Sequence, residues 1–116
     1  MSIVQTLFEH QLTLKMYHFQ TTNYGAHKAS DTYLITYTAN LDRFMEVWQG
    51  QYGRVDDKQV RVNFNTVNDN TIIQHLDSMV TFLGSLNNGQ MSIDLAAIRD
   101  EMVANIQQLK YLLTFK

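Results

Sequence analysis

The sequence predicts an all-α fold: a four-helix bundle with a longer link between its second and third helices. Three observations predict it. The 116 residues contain no proline, so no pyrrolidine ring clashes with a helical turn anywhere in the chain. Apolar residues recur at three- and four-residue spacing in four separate runs, which is the period of a helix with one buried face. Two short polar breaks and one longer, weakly periodic stretch part these runs, as expected of a bundle with one crossover connection.

The first helix is expected from Ile3 to about Gln20. Ser2 followed by Gln5 reads as a capping box. Ile3, Leu7, Leu14 and His18 mark one face, with Gln11 filling the intervening step. Thr21 to Gly25 reads as a short break. The second helix is expected from about Ala26 to Gln51, closed by Gly50 and Gly53. It carries two stripes. One holds His27, Asp31, Leu34, Thr38, Leu41 or Asp42, and Met45; the other holds Tyr33, Tyr37, Phe44 and Trp48. A single amphipathic helix needs only one apolar face, so this helix is either central or builds an oligomer interface. The aromatic stripe Tyr33, Tyr37, Phe44 and Trp48 is the interface candidate, since aromatics are enriched there; filling of the monomer's own core is the alternative.

Residues 54–70 have little helical period. Val60, Val62 and Phe64 alternate with polar residues and suggest an extended crossing segment. Asn68 or Asn70 can cap a third helix with the stripe Ile72, Ile73, Leu76, Met79, Val80, Leu83 and Leu86, ended by a turn at Asn87, Asn88 and Gly89. Ser92 caps the fourth, with Asp94 in its first turn. Leu95, Ile98, Met102, Ile106, Leu109, Leu112 and Leu113 form its stripe, and Lys110 and Lys116 complement the dipole at its end.

Composition narrows the function. A chain of this length is expected to form one domain, residues 1–116. With no cysteine, thiolate metal sites and cysteine nucleophiles are excluded, and a metal would be held by His, Asp, Glu or water. The net charge is −2 with nine basic residues and no basic cluster, so nucleic-acid binding is not expected. No apolar run approaches the roughly 20 residues of a membrane span, and the first residues lack a signal-peptide core. A cytoplasmic protein is the expectation.

The chemistry concentrates between His18 and Glu46. His18 shares the stripe of Leu7 and Leu14. His27 opens the second helix, and Asp42 follows four turns later, with Glu46 one turn on. An Asp on a core stripe is costly unless a cation or donor meets it. Two imidazoles with two carboxylates suit iron. Asp31, four residues after His27, is a candidate acceptor for that imidazole. His10, His75, Asp77, Asp100 and Glu101 read as solvent-facing.

The stretch HFQTTNYGAHKASDTYLITYTANLDRFME resembles the first half of the Dps-type mini-ferritins, in the ferritin-like superfamily. The resemblance rests on His18–Phe19, His27 and the D-x-x-x-E of Asp42 and Glu46. It implies a ferroxidase and iron-storage protein whose metal ligands are His18 and His27 of one subunit with Asp42 and Glu46 of a two-fold mate, and hence a homo-oligomer built from dimers. HFQTTNYGAHKA and WQGQYG also look like small phage-encoded ferritin-like proteins. That likeness implies, as the alternative, a non-catalytic accessory or virion protein acting through protein–protein contacts.

Overall fold

Asn23 starts the longest helix. Its side-chain oxygen accepts the Ala26 N–H at 2.9 Å, an N-cap that leaves only residues 21–23 outside helix. The expected break at Thr21–Gly25 is therefore two residues shorter. Gly25 lies inside the first helical turn, where a Cβ would meet the capping oxygen at 3.2 Å; glycine lets the cap close.

The computed structural model describes residues 3–63, 66–86 and 91–115. Four helices make up the bundle: α1 (Ile3–Gln20), α2 (Tyr24–Tyr52), α3 (Ile72–Ser85) and α4 (Ile93–Leu112). The link before α3 holds one 3-10 turn, Asp57–Gln59, and no strand occurs among the described residues. Val60 to Asn63 run without helical or strand pairing. Ser2 of the expected capping box, Phe64 of the alternating segment, the Asn87–Gly89 turn and Lys116 lie outside the described residues. The cap expected at Ser92 forms: its Oγ accepts Leu95 N–H at 3.2 Å. Asn68 instead folds the turn before α3, its side chain accepting the N–H groups of Asn70 and Thr71.

Four hydrogen bonds set the topology. Tyr17 and Thr21, at the end of α1, both donate to Asp69, just before α3. Gln51, at the end of α2, donates to Ser92, at the start of α4. The Asn63 N–H donates to Glu9, in the first half of α1. The link therefore climbs the length of the bundle beside α1, so α3 runs parallel to α2 and α4 parallel to α1. Gly53 permits the turn into this link, with φ of 90° and its N–H on the Gln49 carbonyl. That region of φ favours glycine.

α2 packs along both α1 and α4, and α4 packs in turn on α3. The α3 and α4 stripes enter the core as expected through Ile72, Leu76, Met79 and Leu83, and through Leu95, Ile98, Met102, Ile106 and Leu109. The aromatic stripe requires a correction. Tyr33, Tyr37 and Phe44 are 5%, 1% and 1% exposed, and Trp48 is half-buried over Phe44. With α1 on one side and α4 on the other, both apolar stripes of α2 find partners within the chain. These rings fill the monomer core rather than an interface.

Arg99 is buried as well. Its Nε donates to Asp100 at 2.8 Å and its Nη1 reaches the Leu83 carbonyl in the last turn of α3, where a cation suits the helix dipole.

Candidate functional site

The end of α1 and the start of α2 bring His18 and His27 face to face. The ring centroids are 4.0 Å apart with planes inclined by 15°. His18 Nδ1 lies 3.0 Å from the His27 carbonyl and 3.1 Å from Ser30 Oγ. His27 Nδ1 lies 2.9 Å from the His18 carbonyl. A carbonyl only accepts, so both Nδ1 atoms carry a proton, and Nε2 is the atom of each ring left to bind a ligand through its lone pair. This is the orientation in which a backbone carbonyl readies an imidazole for a metal.

The other members lie elsewhere. Asp42 and Glu46 are exposed on α2, about 22 Å and about 28 Å from His27 by helical rise. Among the described residues, no three His, Asp or Glu side chains of one chain gather around a common point. The carboxylates sit on the solvent face, so the cost expected for a buried Asp42 does not arise. Asp31 is also exposed and does not serve His27 Nδ1, because the His18 carbonyl takes that proton. That replaces the expected carboxylate support with a backbone acceptor. The stacked rings set one more limit. A metal lies in the plane of each imidazole it binds, and two nearly parallel planes do not meet at one ion. Each ring in this arrangement offers its own Nε2 to its own ligand.

A second polar group was missed. His10, expected at the surface, is 1% exposed. Its Nδ1 lies 2.9 Å from His75 Nε2, and its Nε2 lies 2.8 Å from the Tyr33 hydroxyl. The His10 and His75 rings are stacked, and Tyr37 meets His10 edge-on. His75 is half-buried and lines a cleft of about 390 Å³ with Glu9, Thr13, Thr66, Gln74 and Ser78, beneath the link. Burial, and then the neighbouring His75 charge, hold His10 well below the ordinary imidazole value; burial lowers His75 too. The signal for His10 was present. Leu7, His10, Leu14 and Tyr17 follow helical spacing and all are buried. Spacing put Tyr33 on a stripe of α2 but could not show that it, or His75 on α3, meets His10.

Taken together, the chain is an α-helical bundle with one long crossover and a stacked histidine pair at one end. It belongs to DUF5856, a family of unknown function, whose model matches residues 18–113. No curated protein and no solved structure matches the chain.

Proposed function

We propose that two copies of the chain form a shared site for two iron ions, one on His18 Nε2 and one on His27 Nε2 of one copy, with Asp42 and Glu46 of the other copy facing them, and that Fe(II) is its substrate for oxidation and sequestration. The observation that carries this reading is the spacing along α2. His27, Asp31, Ile35, Asp42 and Glu46 fall within an arc of about 100° on that helix. The midpoint of His27 and Asp42 lies between Leu34 and Ile35. A two-fold axis beside Ile35, pairing α2 antiparallel with its mate, brings each Asp42 to the partner's His27 and each Glu46 to the start of the partner's α2. Isologous pairing of this kind repeats every contact twice. Ile35 is 69% exposed, an apolar side chain where such an axis would bury one.

Three further features support the reading. The Nε2 atoms are the donors iron requires. The outward carboxylates are free to leave their own chain. The single long crossover is that of ferritin-like bundles. The exposed stripe Phe8, Leu12 and Phe19 on α1 lies beside the same face and would extend the contact. That stripe also favours the second reading, a bundle that works only through protein contacts.

The test is Fe(II) oxidation by peroxide in the purified protein, with bound iron counted and mass measured by light scattering. Asp42→Ala with Glu46→Ala, and separately Ile35→Glu, are measured alongside. Oxidation that both variants lose, with the mass falling only in Ile35→Glu, supports the shared site. An oligomer that oxidises no faster than buffer and retains no iron leaves the contact module standing.

A further inference from the structure

The polar chain His75–His10–Tyr33 does no work in the proposed iron site, and a direction is built into it. Tyr33 has one hydroxyl hydrogen and, among the described residues, one acceptor in reach: His10 Nε2 at 2.8 Å. If Tyr33 donates there, neutral His10 carries its proton on Nδ1 and donates it to His75 Nε2 at 2.9 Å. His75 then carries its proton on Nδ1, and its ring lines the cleft beneath the link. Each donor in the chain points one step closer to solvent.

A phenol gives up an electron easily only when its proton leaves at the same time, because the oxidised phenol is a very strong acid. A base within hydrogen-bond distance of the hydroxyl is therefore the condition for a tyrosine to act in one-electron chemistry. The buried tyrosines differ in this respect. Tyr37 donates to the Leu7 carbonyl at 2.7 Å, which accepts a hydrogen bond but not a proton. Tyr17 donates to Asp69 at 2.7 Å, a carboxylate that also accepts from Thr21 and has no proton of its own to pass on. Tyr33 alone among these three faces an imidazole, and that imidazole is in turn bonded to a second one.

We propose that Tyr33 is a redox-active tyrosine that gives one electron to a diffusible radical oxidant while its proton passes to His10. The Tyr33 O–H bond breaks and its proton binds His10 Nε2. The His10 Nδ1–H bond breaks and that proton binds His75 Nε2. His75, now an imidazolium, releases its Nδ1 proton to water in the cleft. The net change is one electron to the oxidant, which is reduced by one equivalent, one proton to the cleft, and a neutral phenoxyl radical on Tyr33. Re-reduction runs the same transfers backwards. The radical is kept from solvent because Tyr33 is almost wholly buried, whereas Tyr24, Tyr52 and Tyr111 are exposed. The site thus acts as a sink for one-electron oxidants, and it stands apart from the iron reading because it needs no metal.

The experiment is flash oxidation of the full chain with photogenerated ruthenium(III) tris-bipyridine, followed by electron paramagnetic resonance of the trapped radical. The expected result is a neutral tyrosyl signal that Tyr33→Phe loses and that Tyr17→Phe and Tyr37→Phe keep. Its formation is slower in heavy water and slower in His75→Gln, whose amide can bond His10 but cannot carry the proton onward. Because His75 sits at the cleft wall, His75→Gln keeps the test open should Tyr33→Phe fail to fold. A signal retained in Tyr33→Phe, a signal lost in Tyr17→Phe instead, or a formation rate indifferent to both heavy water and His75→Gln would overturn the proposal.

Discussion

His18 and His27 exchange hydrogen bonds: each ring donates its Nδ1–H to the other's backbone carbonyl, at 3.0 and 2.9 Å. The exchange closes the α1–α2 hairpin. It also gives the His18 carbonyl, in the last turn of α1, a donor that the helix itself cannot supply. His27→Ala removes that donor and the stacking partner of His18 together. The expected loss is about 1–3 kcal/mol, measured as a lower urea midpoint at unchanged m-value.

Stability should fall as the solution turns acid. His10 and His75 are both lowered from 6.5 by burial, so the unfolded chain binds protons that the folded chain refuses. The stability they contribute is fully present above pH 6.5 and is lost as pH drops below it toward the lowered folded values. Thermal unfolding between pH 8 and pH 5 reads the trend, and His75→Gln should flatten it.

Phe44 and Ile35 separate core from surface. Phe44 is 1% exposed and stacks on Trp48. Phe44→Ala should cost about 3–5 kcal/mol, seen as a large drop in melting temperature. Ile35→Glu replaces a side chain already in water and should leave the monomer's unfolding free energy within about 0.5 kcal/mol. Comparable losses in both variants would contradict the assignment of the aromatic stripe to the monomer core.

Asn105 holds an amide that the fold does not satisfy. Its Nδ2 is buried with no hydrogen-bond partner among the described residues, beside a hollow of about 50 Å³ lined by Tyr33, Thr36 and Leu109. Asn105→Leu replaces that amide with an apolar group of similar size. The expected gain is about 1 kcal/mol, a rise of several degrees in melting temperature.

How much of this was legible in the residues follows from what periodicity measures. The stripes of α3 and α4 appeared in the sequence because each helix turns one apolar face inward, and spacing along one helix reports that face directly. The Ser92 cap was legible because its hydroxyl serves a backbone N–H three residues away. The two stripes of α2 were legible as stripes; which other element covered each was not. Spacing places a residue on one side of its own helix and is silent about the neighbour. For the same reason, His10 reads as solvent-facing until Tyr33 and His75 are brought against it.

The sequence by itself determined the number of helices, most of their bounds, the long link and the apolar faces of α3 and α4. Those features depend on interactions within a few residues, and the local spacing records them. Only the tertiary structure decided that Tyr33, Tyr37 and Phe44 lie inside, that His18 and His27 share one hairpin clasp, and that Asp42 and Glu46 face outward from the same chain. Those outcomes depend on which surfaces meet when α2 is packed between α1 and α4, and each requires contacts between residues far apart along the chain.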